Sequence, residues 1–311
     1  HDAGAETLLI EKMPHLGGIS ICAGGGLRLS DNRDAAFAYL QATNDGTTPD
    51  DVLHAFVDGM FELHDYVREL AKVNGAELAR IDRPGNYPFP GHGSMYFLEV
   101  ESVPGFDRVA GYSHARSLRN GTNMMKVLED NVVSRDIAVR FSTPARRLIL
   151  GPDGAVQGLW VEGPDGPVSI CARRGVILAC GGFEANPAMQ RQHWQINPVL
   201  SAAFRGNTGD GLRMATTAGA ALWHMWHFHG SYGFRHLDPA FPFGIRMKRL
   251  PDWVPDVRAS AAPMSWILLD RRGRRFMNEY DPYLQDTGHR ALEAMNPSTM
   301  QQPFVPCFAV V

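Results

Sequence analysis

Residues 8 to 27 read LLIEKMPHLGGISICAGGGL: three consecutive apolar residues, an acid, and then five glycines. Few folds have a use for that order. Leu8, Leu9 and Ile10 form an unbroken apolar run, the pattern of a parallel strand covered on both faces rather than of a half-exposed hairpin. Glu11 stands at the strand's C-terminal end. Gly17, Gly18, Gly24, Gly25 and Gly26 carry no Cβ, so they can adopt positive φ and let backbone N–H groups close on a bulky anion. A glycine-rich loop by itself is also an ordinary turn, so the stretch needs support from the rest of the chain.

HDAGA, residues 1 to 5, reads as the end of a helix stopped by Gly4. A βαβ unit places a strand ahead of such a helix, and the sequence holds none, so the chain is expected to be incomplete at its N-terminus. Residues 31 to 76 are helical in pattern, with Thr48 or Asp50 near a start and Gly75 at the end. Residues 83 to 97, RPGNYPFPGHGSMYF, read as a Pro/Gly/aromatic loop, either a connection or a pocket wall. Residues 122 to 130 read as another helix.

Residues 137 to 183 hold short β-like runs divided by PDG turns at 152 and 164. They predict an antiparallel meander feeding a buried strand at 176 to 180, with Gly181 and Gly182 directly after it. NTGDGLRMATTAGAAL, residues 207 to 222, is a glycine turn opening a helix, with Asp210 near its start. After Trp223 the texture changes to aromatic, proline and basic residues. A boundary there gives a first domain over 1–222 and a second over 223–311. SWILLDRRGRRFMNE reads as a strand, a tight turn at Gly273 and a second short strand. PCFAVV predicts a further buried strand, and the C-terminus too is expected to be incomplete.

The chain has 311 residues, 44% of them hydrophobic, and a formal charge of -3. That balance gives no electrostatic reason for a nucleic acid or anionic membrane partner. No apolar run approaches the ~18 residues of a spanning helix. Cys22, Cys171, Cys180 and Cys307 form neither a CxxC pair nor a zinc spacing. They read as reduced thiols of a cytoplasmic enzyme rather than as disulfides. His224, His227 and His229 match no zinc-helix signature, so no metal is expected.

An acid ending the second strand of a dinucleotide fold accepts hydrogen bonds from a ribose diol. With LLIEKMPHLGGIS and AGGGL taken together with TPARRLI, VILACGGFEANPAM, NTGDGLRMATTAGA and DRRGRRFMNE, the chain resembles the flavoproteins of the fumarate reductase, succinate dehydrogenase and 3-ketosteroid dehydrogenase family. The resemblance implies an α/β fold: a Rossmann-like FAD-binding domain lacking its first strand, a small β-meander, and part of an α+β capping substrate domain. It implies that Glu11 holds the adenosine ribose. Lys12, Gly17, Gly18, Ile19 and Ser20 would line the pyrophosphate and ribityl side, and Gly24, Gly25 and Gly26 would run under the isoalloxazine. Ala145 would meet adenine through its backbone, Ala179, Gly181 and Gly182 would pass close to the dinucleotide, and Asp210 would face the flavin side. The family's GxGxxG strand would precede His1 and a glycine-rich flavin segment would follow Val311, so this chain alone is expected to bind FAD poorly.

The implied reaction acts on a C–C bond beside a carbonyl, with a small-molecule substrate and a separate electron acceptor. Fumarate reductases carry an arginine proton donor shortly after the RFxNE segment. Here Arg275, Phe276, Asn278 and Glu279 are followed by YDPYL, and the next arginine is Arg290. The form is similar to that of the ketosteroid dehydrogenase branch, whose tyrosine in this region takes part in proton abstraction. Tyr283 inherits that role, against a plain packing role. Tyr232 and His229 are candidate substrate contacts, in an aromatic segment suited to wall a flat apolar pocket. Arg275 and Glu279 are candidates for the catalytic set or for a structural ion pair. A reductase of a small unsaturated acid is the second reading, and a non-catalytic remnant without flavin is a third.

Overall fold

The computed structural model of the protein describes residues 1–164, 166–196, 198–226, 233–246, 266–277, 279 and 291–310. Strand β1 (Leu8–Ile10) pairs in parallel with β5 (Ala138–Arg140), Leu9 opposite Val139. The parallel pairing agrees with the apolar run; the burial does not, since all three β1 residues are only half-buried. Among the described residues β1 has β5 as its one strand neighbour.

The core lies further along the chain. Strands β2 (Leu27–Ser30), β3 (Glu77–Ile81) and β4 (Met95–Ser102) make an antiparallel sheet of order β2-β4-β3. Helices α1 (Arg33–Asn44) and α2 (Asp50–Ala71) cover one face. Leu53, Val57, Met60, Val67 and Leu70 of α2 are buried at helical spacing, and Val57, Met60 and Val67 pack in one cluster with Leu29, Met95, Tyr96 and Leu98. Leu29 and Leu98 are fully enclosed, each worth about 1.5–3 kcal/mol of burial. The Asn32 side chain accepts from Ala35 N–H and starts α1; α2 begins after Pro49 with Asp50 and Asp51 in its first turn, where the helix dipole favours acids. Short α3 (Arg108–Gly111) precedes α4 (Asn120–Ser134), whose Val127 meets Leu70 and Val100 in a second cluster.

The meander forms as expected: β6 (Ala145–Leu150), β7 (Val156–Gly163) and β8 (Gly166–Cys171), all antiparallel. Helices α5 (Pro187–His193) and α6 (Asp210–Thr217) follow, then the hairpin β9 (Gly233–Arg235) and β10 (Gly244–Arg246). Strand β11 (Ile267–Leu269) pairs with β12 (Phe308–Val310).

Four expectations need correction. Residues 176 to 180 are not a strand: the segment is irregular, and Ile177 is 94% exposed. A buried parallel strand needs neighbours to receive its N–H and C=O groups, and no described strand lies alongside. The second half of the Gly273 hairpin is a single bridge, Leu269 to Arg275. The final apolar run is a strand, but Phe308 and Val310 are exposed by half or more. The end of the 83–97 loop is also the start of β4.

Candidate functional site

Strand β1 hands the chain to Glu11. Its backbone extends the pairing, with Glu11 N–H donating to Arg140 O (2.9 Å) and Thr143 N–H to Glu11 O (2.9 Å). This second bond draws the start of β6, and Ala145 with it, beside the acid. Glu11 Oε1 accepts from Met13 N–H at 2.8 Å, which fixes the carboxylate. Its other oxygen accepts no hydrogen bond from the described residues and is available to a ligand hydroxyl.

The glycines serve two separate purposes. Gly25 (φ +82°) lies against the start of α4, where a Cβ would come 2.5 Å from Asn120 C and 2.6 Å from Gly121 N. Gly121 answers it: a Cβ there would meet Ala23 O at 2.6 Å and Ser20 O at 2.7 Å, and Gly121 N–H donates to Ala23 O (3.1 Å). These glycines let the loop dock on the helix. Gly18 differs, with φ +48° and no atom nearer than 4.0 Å to an added Cβ. Its bare face is free for a ligand to approach. Gly24 and Gly26 sit beside Arg119 and Phe97 respectively, and Ile19 and Ser20 open a short 3-10 turn ending at Cys22.

A polar link closes the other side. Lys12 Nζ donates to Asp210 Oδ2 (2.7 Å) and to Thr208 Oγ1 (2.8 Å), and Thr208 Oγ1 donates to Asp210 Oδ2 (2.8 Å). Arg213 pairs with the other Asp210 oxygen. Burial alone would raise the Asp210 carboxyl; bonds from Lys12 and Thr208, with the Lys12 and Arg213 charges, outweigh it and hold the group below the usual carboxylate range. Burial and then the Asp210 charge push the Cys180 thiol up, so it stays protonated.

Gly181 and Gly182 meet α6 through the 206–210 turn. Gly209 N–H donates to Gly182 O (3.0 Å), and a Cβ on Gly181 would strike Asn207 Oδ1 at 2.4 Å. Asn207 Nδ2 donates to Glu184 Oε1 (2.6 Å) and Asn186 Nδ2 to Thr208 O (2.9 Å). The structure thus brings Glu11, Lys12, Ala145, Gly181, Gly182 and Asp210 around one end of β1, with Ala179 exposed at the edge. Thr208, Asn207, Glu184 and Cys180 are partners that the sequence reading did not single out. A hydroxyl immediately before GDG was the available signal for Thr208.

Arg275 and Glu279 pair with each other at i,i+4. Glu279 is 1% exposed and also accepts from Leu268 N–H (2.8 Å). Burial works against its charge, and the Arg275 and Leu268 bonds win, so its carboxyl titrates below the usual range. The pair pins the Gly273 turn to β11. Asp270 does the same one register away, accepting from Arg272 N–H and Arg274 N–H. Tyr283, Tyr232 and His229 lie outside the described residues.

A strand-end acid with one open oxygen, an unobstructed left-handed glycine and a lysine at a helix start suit a dinucleotide with a ribose diol and a diphosphate. The class is that of a dinucleotide-binding α/β protein. A family model described as "FAD binding domain" matches residues 1–298. The chain belongs to that FAD-binding domain family, and its cofactor is FAD. It is similar to the fumarate reductase (cytochrome) of Shewanella frigidimarina, 27% identical over 290 residues, covering 89% of this chain and 44% of that protein. It is similar also to 3-oxosteroid 1-dehydrogenase of Mycobacterium tuberculosis, 26% identical over 365 residues, covering 92% of this chain and 60% of the relative. The crystal structure of 3-ketosteroid delta1-dehydrogenase from Sterolibacterium denitrificans superposes with a TM-score of 0.71 at 22% identity, covering 99% of this chain and 64% of that one. The chain therefore spans 44% of the first of these relatives, 60% of the second and 64% of the third. No helix among the described residues is long and apolar enough to cross a membrane.

Proposed function

We propose that this protein, with FAD, oxidises a C–C bond beside a carbonyl in a flat apolar ketone of steroid-like shape. FAD supplies the hydride acceptor when bound. The observation that carries the reading is the segment after Glu279. A buried acid locked to Leu268 N–H and Arg275 anchors the chain immediately before YDPYL. That segment offers Tyr283 and no arginine, and the nearby Arg275 is committed to Glu279. A phenol is the proton acceptor at hand, and its ordinary pKa of about 10 requires a stabilised phenolate or a relay. Tyr232 and His229 contact the substrate in this reading, the boundary between cofactor and capping domains stays at 222/223, and a separate acceptor reoxidises the flavin. The four free cysteines accord with a reducing compartment, and the cytoplasm is the location we assign.

The likeness to a fumarate reductase supports a second reading, reduction of a small unsaturated carboxylic acid. Anaerobic flavin spectroscopy on the FAD-loaded chain separates the two. Bleaching of the flavin band by a 3-oxo steroid supports the first. Reoxidation of chemically reduced flavin by fumarate, without steroid bleaching, replaces it with the second. Retained FAD that responds to neither leaves a non-catalytic flavin-binding protein.

A further inference from the structure

Gly18 lines a cavity of ≈ 20 Å³ whose other walls take no part in the proposed chemistry. His15 and His114 line it, with Gly18, Cys22 and Phe204 among the other walls. The two imidazole rings meet edge to face with centroids 3.6 Å apart. His15 Nδ1 is buried there and has no hydrogen-bond partner among the described residues. A buried polar atom left in this way is costly and calls for a partner.

The charges around the pair are one-sided. Among the described residues no Asp, Glu, Lys or Arg lines the cavity, and Cys22 is its other titratable wall. Tyr112 lies edge-on to His114 at 5.9 Å, but its hydroxyl donates to Glu129 at 2.6 Å, so that carboxylate is occupied elsewhere. Arg116, two residues beyond His114, lies over the rings of Phe243 and Phe241. Among the described residues the two imidazoles have no carboxylate in their cavity, and the wall they share with Gly18 borders the bare backbone where the diphosphate of FAD is expected.

We infer that His15 and His114 act as one proton-binding pair that takes up a proton from solvent when the cofactor's diphosphate arrives at Gly18. This rests on the assignment of Gly17 and Gly18 to the phosphate side. The physics is direct. Burial first, and the neighbouring His15 second, pull the His114 pKa below the usual histidine value, which favours its neutral ring. Two protonated rings this close repel, so the pair holds at most one proton. The cavity admits about one water molecule and not a phosphate, so the anion acts across the loop backbone, and its field raises the proton affinity of the pair. The proton leaves buffer acid and ends on a ring nitrogen; no other bond changes.

The test is calorimetric titration of the full chain with FAD at pH 7 in buffers of differing ionisation enthalpy. Uptake of a substantial fraction of one proton is expected, with Kd rising toward pH 8 by at most about tenfold per pH unit. H15Q and H114Q should each abolish the uptake while retaining FAD binding. The histidine C2–H NMR signals of the wild type give a second readout, with the His114 titration moving to higher pH when FAD binds. FAD binding without proton uptake, or uptake that survives in both variants, overturns the pair. Failure of FAD to bind even at millimolar concentration, beyond the weak binding expected of this chain alone, overturns the cofactor-site assignment beneath it, a separate result.

Discussion

Lys12 and Asp210 stand 198 positions apart in the chain and 2.7 Å apart in space. Their bond ties the loop after β1 to the start of α6. Both side chains are mostly enclosed, at 25% and 14% exposure. Lys12→Met leaves Asp210 with a poorer environment and should cost about 1–3 kcal/mol in a chemical-denaturation titration. The double variant K12M/D210N should recover part of that loss, and strict additivity of the two single effects would show that the residues are not coupled.

The same carboxylate predicts a pH dependence. The folded Asp210 pKa lies below that of an ordinary carboxylate, so the folded state holds fewer protons than the unfolded one in that window. Its contribution to stability is complete above the unfolded value and is lost as pH falls through the folded one. Asp210→Asn should therefore flatten the acid limb of the melting-temperature profile below pH 4, while the wild type falls steeply there. Parallel acid limbs in the two proteins would contradict the assignment.

Gly18 and Gly25 should respond to alanine in opposite ways. Gly25→Ala forces a Cβ into the Asn120 backbone at a positive φ. It should destabilise the fold by roughly 2–4 kcal/mol. Gly18→Ala carries only the backbone strain, about 1–2 kcal/mol, and should instead weaken FAD binding. Thermal melts with and without FAD separate the two effects.

Glu279→Ala should cost about 3–5 kcal/mol, because Leu268 N–H loses its acceptor and Arg275 its partner. Arg275→Ala should be similarly harmful, since it strands a buried carboxylate. A near-neutral Arg275→Ala measured by urea unfolding would remove the anchoring role assigned to this pair.

Tyr283→Phe should leave FAD retention unchanged and slow flavin bleaching by a 3-oxo steroid about 10²–10⁴-fold, the range for loss of a positioned acid or base. An unaltered rate would return Tyr283 to a packing role.

Much of the site was legible because its determinants are local in sequence. A strand-end acid, a Gly-Gly pair and a TGDG turn each carry their conformation in a few residues, and Gly209 indeed starts α6 at φ +79°. The meander was legible for the same reason, its PDG turn closing with Gly154 at φ +80°. Residues 176 to 180 misled because an apolar run specifies burial only if neighbours exist to bury it, and strand pairing is not written in the run itself. The β2-β4-β3 sheet was missed for a related reason. Strand β3 is short, with Glu77 and Arg80 breaking up its apolar residues, and β4 emerges from a stretch dominated by proline and glycine, so its alternation of Tyr96, Leu98 and Val100 is hidden behind turn signals. The Lys12–Thr208–Asp210 link and the His15–His114 contact join residues far apart in the chain, which no local pattern announces.

Gly25 and Gly121 each leave room for the other's backbone neighbourhood, loop on helix and helix on loop. The cofactor loop and the first turn of α4 are consequently a single unit of inheritance. A side chain gained at either glycine is barred by the unchanged partner, so drift at one position cannot be rescued by waiting for the other. Variation in this protein will enter through the residues flanking that contact, leaving the two glycines as its fixed seam.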